Sequence, residues 1–167
     1  GVWLEHAYDG LCYALSFTDD PQAGEVAMNH MRLFLDNARS DGRLPYNVLD
    51  EELMKLTNRK SKVIGYRQIQ ECVSLGAICL DVYGITKDRD FLKQAYDVLT
   101  GWDGWLCRHR MSMGKGLIEM FCLYDTGHDE SARFEGIPNA TIDDDGCIPA
   151  DNPALPILAP DMNAVFY

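Results

Sequence analysis

Apolar residues recur at helical spacing in two successive pairs of segments, each pair joined by a link short enough to favour an antiparallel return. Residues 3–38 hold the first pair. Leu4, Ala7, Tyr8, Leu11, Cys12 and Leu15 form one stripe, and Ala27, Met31, Phe34, Leu35 and Ala38 form the next. Between them, Asp20-Pro21 reads as an N-cap followed by proline at the first helical position, with Glu25 near that positive helix end. Residues 66–110 hold the second pair. The spacing predicts a helix from about Tyr66, with Ile69, Cys72, Val73, Gly76, Leu80 and Tyr83 on one face and Gly84 as its cap. Asp88 then caps a helix carrying Phe91, Leu92, Ala95, Leu99, Trp102 and Leu106. Hairpins of this kind bury their stripes only against further hairpins, so the pattern predicts an all-α fold built by repeating them.

The remaining segments are less regular. Asp41-Gly42 is a turn signal. Residues 46–65 follow no clear period, and within them the charged stretch Glu51 to Lys60 reads as an exposed short helix or loop; Leu117 to Leu123 reads as a short, extended apolar run. Residues 124–160 hold five prolines and read as one long loop, the kind that is usually functional or disordered in a compact domain. Asp161 reads as the start of a further helix.

Several function classes are disfavoured. The net charge of −11 repels phosphate backbones and anionic lipid, so nucleic acid and membrane surfaces are not expected partners. No apolar run approaches the roughly 20 residues that span a bilayer. The six cysteines include no C-x-x-C pair, and four lie on helical stripes, which predicts buried thiols in a reducing, cytoplasmic compartment. There is no H-E-x-x-H, no G-x-S-x-G and no phosphate-binding glycine loop. The run Asp143-Asp144-Asp145-Gly146 resembles part of a calcium loop, yet it would place Thr141 and Asn152 where carboxylates are needed. It reads as a solvated turn, and no metal is expected. Asn139-Ala140-Thr141 fits a glycosylation sequon, a pattern short enough to arise by chance.

One stretch concentrates chemistry: Tyr124-Asp125-Thr126-Gly127-His128-Asp129-Glu130-Ser131-Ala132-Arg133-Phe134. It gathers three carboxylates and an arginine around a flexible glycine. Glycoside hydrolysis needs one protonated carboxyl to protonate the leaving oxygen and an ionised carboxylate on the opposite face. Crowded carboxylates favour a protonated acid, and a nearby arginine favours the ionised one. Spacing alone leaves a solvated acidic loop as the first reading and catalysis as the second.

Here the sequence resembles the clan of trehalases, family 63 glucosidases and mannosylglycerate or glucosylglycerate hydrolases. Gly127-His128-Asp129-Glu130-Ser131-Ala132-Arg133-Phe134 matches their G-x-D-x-x-x-R-[FW] signature, in which the aspartate is the general acid. Other features follow in the clan's order. Trp3-Leu4-Glu5-His6-Ala7-Tyr8 stands where those families write W-D-S-x-F. Asp41-Gly42-Arg43-Leu44-Pro45 is similar to their D-G-x-[IL]-P turn. Thr86-Lys87-Asp88 with Phe91-Leu92 is similar to T-G-D-x-x-F-L, and Asp161-Met162-Asn163-Ala164 to D-L-N-A.

The resemblance implies part of an (α/α)6 toroid of helix hairpins with a long irregular active-site loop, residues 1–167 forming one segment of the barrel. It implies an inverting glycosidase acting on an α-linked glucose- or mannose-containing di- or oligosaccharide, with Asp129 as acid and no cofactor. Trp3, Glu5, Tyr8, Gln70, Asp125 and Arg133 are the candidate substrate contacts. Trp3 and Tyr8 could floor a sugar site or simply fill a helix core. Arg133 is expected to hold the acid loop more than to touch sugar, and Asp161 and Asn163 to cap a helix more than to bind it. Trp102 and Trp105 read as core.

Departures accompany the match. Glu5 replaces the usual aspartate, Gln70-Glu71-Cys72 stands in a Q-P-P region, and Ala132 replaces a frequent proline. The clan's general base lies far downstream and has no counterpart here. Twelve helices of about 12 residues with about 5 per connection need at least roughly 200 residues, so the chain is expected to hold about half a barrel. Its exposed stripes would then pair with the remainder or with a second copy. A non-catalytic, sugar-binding or scaffold half-barrel is the alternative.

Overall fold

The computed structural model describes residues 1–56, 63–141 and 152–167. In chain order they form β1 (Val2–Trp3), α1 (His6–Ser16), α2 (Pro21–Leu35), β2 (Asn47–Val48), α3 (Glu51–Leu56), β3 (Ile64–Gly65), α4 (Leu75–Thr86), α5 (Arg89–His109) and α6 (Pro160–Phe166). Two helix hairpins, α1–α2 and α4–α5, pack side by side. α2 lies against both helices of the second hairpin, and α1 touches α4.

Local chemistry sets the helix starts. Asp20 accepts from the Gln22 N–H at 2.9 Å with Pro21 in the first turn. Asp88 accepts from the Phe91 N–H at 2.8 Å. Asp88 also meets Arg32 of α2 at 3.2 Å, so one cap stitches the two hairpins together. Between them, Met31 and Phe34 of α2 and Phe91 and Leu106 of α5 are fully buried, joined by Val82 of α4. Trp102 and Trp105 belong to this core, stacked with centroids 5.3 Å apart. Gly42, at φ 101°, comes so close to the Gly101 carbonyl that any side chain would collide with it. The Asp-Gly turn is thus a docking point on α5.

The helix-hairpin expectation holds, with corrections in detail. A small antiparallel sheet joins the helices in the order β1-β2-β3, with Trp3 opposite Asn47 and Asn47 opposite Gly65. β2 and β3 lie at the ends of residues 46–65, and between them α3 falls within the Glu51–Lys60 stretch expected as a short helix or loop. The helix expected from Tyr66 begins only at Leu75. Asp125 captures the backbone between: its carboxylate accepts from Ile69 N–H at 2.8 Å and its carbonyl from Glu71 N–H at 2.8 Å. The buried face of α4 is consequently Leu75, Ile78, Cys79 and Val82, and Leu80 is 61% exposed. Gly84 does not cap this helix. It ends at Thr86, with Lys87 at φ 56°.

α1 shows a similar shift. Its buried face is Ala7, Gly10, Leu11 and Ala14, which leaves Tyr8 and Leu15 outside the core. The thiols are also less uniform than expected. Cys79 and Cys122 are buried, Cys12 and Cys72 partly so, and Cys107 is exposed; all five are unpaired. Cys147 and the Asp143–Asp145 run lie outside the described residues. No described helix is long and apolar enough to cross a membrane.

Glu71 is a buried carboxyl beside the second hairpin, and the Trp102 indole N–H donates to it at 3.3 Å. Burial pushes its pKa up to about 7 from 4.5, against the indole's pull toward ionisation and with a smaller push from Asp103. An unfolded chain releases this proton near 4.5 and the folded one keeps it to about 7. The contribution of this group to stability is therefore fully present below the first value and is lost as pH rises between the two. Glu71→Gln should remove that loss, raising stability at pH 8 relative to pH 5 by up to about 3 kcal/mol. Urea midpoints at the two pH values check this, and parallel pH profiles for both proteins would count against it.

Candidate active site

The loop that carries Asp129 is built on a buried ion pair. Arg110, just past α5, and Asp125 are both fully buried, with Nη1 and Oδ2 2.5 Å apart. The Asp125 carboxylate also accepts from the N–H groups of Phe121 at 2.7 Å and Cys122 at 3.3 Å, besides Ile69. Arg110 lies 4.1 Å from the Phe121 ring and bonds the Glu119 carbonyl at 3.2 Å. One aspartate therefore locks three segments: the end of α5, residues 119–127 and residues 69–71. This corrects the expectation that Asp125 touches substrate. Its side chain has no exposed surface and is saturated with donors.

From this base the chain turns into the site. Residues Leu123–Thr126 form a short 3-10 turn. Thr126 Oγ1 donates to the Leu123 carbonyl and accepts from His128 N–H, each at 3.1 Å. Gly127 follows at φ 68°, and a Cβ there would sit 3.0 Å from the Cys72 sulfur. The signature glycine is thus required twice, by its left-handed backbone and by close packing on the 70–72 segment. Glu130 is also left-handed, at φ 56°. Between these turns Asp129 is exposed.

Asp129 opens onto a cleft of about 410 Å³ shared with Trp3, Glu5, His6, Gln68, Gln70 and Tyr124. β1 supplies Trp3, which packs on Tyr46 at 5.6 Å and keeps 36% of its surface exposed. Glu5 immediately precedes α1. Burial first, and then the charges of Asp129 and Asp9, push its carboxyl above the ordinary range, against its own backbone N–H and His6. Gln70 is 6% exposed at φ 50°, held there by the bonds Asp125 makes on either side of it. Glu5 Oε2 and Gln70 Oε1 are both buried without a hydrogen-bond partner among the described residues. A buried unsatisfied oxygen costs about 1–3 kcal/mol, so both are primed for donors.

Of the expected site residues, Trp3, Glu5, Gln70 and Asp129 are brought together here. Tyr8 is 54% exposed and does not line this cleft. It is neither the core residue nor, on this geometry, the sugar floor, because the buried stripe of α1 runs one position away. Arg133 does not pair with Asp129. It meets Asp161 at 2.9 Å and lies over the Phe134 ring at 4.7 Å. Asp161 is not a cap, since Ala159 occupies that position, and Asn163 bonds the Ile118 backbone. His6, Gln68 and Tyr124 join the cleft without having been singled out. The alternation Gln68-Ile69-Gln70, polar around a buried apolar residue, was the available signal for Gln68. Among the described residues no cluster of His, Cys, Asp and Glu could hold a metal.

The profile of the mannosylglycerate hydrolase MGH1-like glycoside hydrolase domain matches residues 23–155. The chain belongs to this family. Neither curated proteins nor solved structures yield a match. Membership of this family supports hydrolysis of a glycosidic bond. The matched span includes Gln68, Gln70, Tyr124 and Asp129 of the cleft, together with the Arg110–Asp125 pair that supports them.

Proposed function

We propose that this domain cleaves an α-glycosidic bond in a glucose- or mannose-containing saccharide with inversion. Asp129 is the general acid, and a carboxylate outside this chain is the base. The observation that carries the reading is the company Asp129 keeps. The exposed Trp3 ring offers a face for the apolar side of a sugar, and the polar side chains of Glu5 and Gln70 line the same cleft. Asp129 then gives its proton to the glycosidic oxygen as the bond breaks. Water activated by the base attacks the opposite ring face, which calls for carboxyls about 6.5–9.5 Å apart. No cofactor takes part.

A second observation bears on assembly. The groove between α4 and α5, about 370 Å³, is lined by Leu80, Leu92, Tyr96, Val165 and Phe166. It supports the reading that further hairpins of the same barrel, or a second copy, cover this face. The same groove suits the alternative of a sugar-binding scaffold without turnover.

Proton NMR of the first product anomer tests the mechanism. The full-length gene product should convert α-mannosylglycerate, α-glucosylglycerate or trehalose with the β-sugar appearing first. Initial release of the α-anomer would overturn inversion. Binding of these sugars without release would favour the scaffold.

A further inference from the structure

The loop that carries Asp129 is gripped at its N-terminal side by Asp125. Its C-terminal side is gripped by a different residue, on a different element. Arg133 Nη2 donates to Asp161 Oδ2 at 2.9 Å, and His128 Nδ1 lies 3.0 Å from the same oxygen. Arg133 and His128 are themselves 2.8 Å apart. These two residues flank the acid, one position before it and four after, and both converge on one carboxylate in the first turn of α6.

α6 is a firm support. Asn163 accepts from Ile118 N–H at 2.7 Å and donates to the Ile118 carbonyl at 3.0 Å. The next residue, Glu119, donates its N–H to the Arg110 carbonyl at 2.7 Å. Both grips on the acid loop therefore trace back to Arg110. Burial would raise the Asp161 carboxyl. The hydrogen bond and charge of Arg133, the Asp161 backbone and His128 together outweigh it and leave the group below the ordinary range, so it is ionised where it meets Arg133.

The three side chains keep between 28% and 50% of their surface exposed. Ion pairs so exposed add little to stability. What the cluster supplies is geometry, and a general acid misplaced by about 1 Å can lose roughly 10²-fold in rate.

We propose that Asp161 is a positioning residue for the general acid, holding the loop through Arg133 and His128 so that Asp129 meets the glycosidic oxygen. The proposal rests on Asp129 being the acid, and its test separates the two claims by leaving group. A glycosyl fluoride departs with little help from an acid, whereas a methyl glycoside needs the proton. In the full-length enzyme, Asp161→Ala should lower kcat on the methyl α-glycoside of the accepted sugar by about 10–10²-fold. KM should hold within about 2-fold, and turnover of the corresponding α-glycosyl fluoride within about 3-fold, because only proton delivery is impaired. Asp161→Glu should restore part of the loss. Equal losses on both probes, or none, would overturn the positioning role.

Asp129→Asn must show the same leaving-group contrast more strongly. If it does not, the acid assignment fails, and the brace is judged by hydrogen exchange alone. There, amides of residues 128–134 should exchange faster in Asp161→Ala while α1 and α2 keep their protection. Unchanged exchange in the loop would also overturn the proposal.

Discussion

Asp129→Asn should lower turnover of an alkyl glycoside by about 10²–10⁴-fold, the usual contribution of a positioned general acid. Asparagine preserves the volume and the ability to hydrogen-bond, but it has no proton to deliver to a departing alkoxide. Asp129 is exposed, and none of the contacts that build the loop uses its side chain. Arg133 goes to Asp161, Arg110 to Asp125, and Thr126 to the backbone. The fold should therefore be spared, with stability within about 0.5 kcal/mol of the parent. Steady-state kinetics and a thermal melt on the same preparation check both halves. Full activity in the variant would remove Asp129 from the chemistry. A collapsed fold would mean that its role is structural.

The other large effect lies beneath the site. Asp125→Ala should destabilise the domain by about 3–5 kcal/mol, the typical cost of leaving one member of a buried ion pair alone. Arg110 would remain charged with no exposed surface, and the amides of Ile69, Phe121 and Cys122 would lose their acceptor. For a domain of this size that is a melting shift of roughly 6–20 °C. The pair's own net contribution is a separate quantity, because its attraction largely offsets desolvation. Replacing both residues together, Arg110→Met with Asp125→Leu, should therefore cost less than Asp125→Ala alone. Urea unfolding of the three proteins decides the matter. A loss below about 1 kcal/mol in the single variant would mean that Arg110 finds another partner. Activity should fall as well, since Gln70 and Gly127 both take their positions from this aspartate and its neighbours.

The Asp125 result also shows why the site was only partly legible. From sequence, Asp125 and Asp129 are two carboxylates in one polar loop, and nothing local says that one is buried and the other exposed. The difference is made by Arg110, fifteen residues upstream at the end of a helix, which enters the core because Phe121 and Trp105 flank it. Gln70 was recognisable by its place in the order of motifs. Its left-handed backbone was not, since the bonds that impose it come from residue 125. The start of α4 was misjudged for the same reason. Apolar residues at 69, 72, 73 and 76 satisfy a helical period, but the amides of Ile69 and Glu71 are already taken by Asp125.

Periodicity, caps and turn residues lie within a few positions of one another, so the chain alone determined that it forms helix hairpins, where α2 and α5 begin, and that Asp-Gly reverses direction. The signature around Asp129 is local too, and it is what put that residue forward as the candidate acid. Which face of α1 and α4 is buried, which carboxylate is neutralised, and what holds the Asp129 loop at each end were decided only by tertiary structure. Those outcomes depend on partners tens of residues away, brought close at the cost of chain entropy. Burial changes the energy of a charge by several kcal/mol, and no spacing along the sequence records where that burial falls.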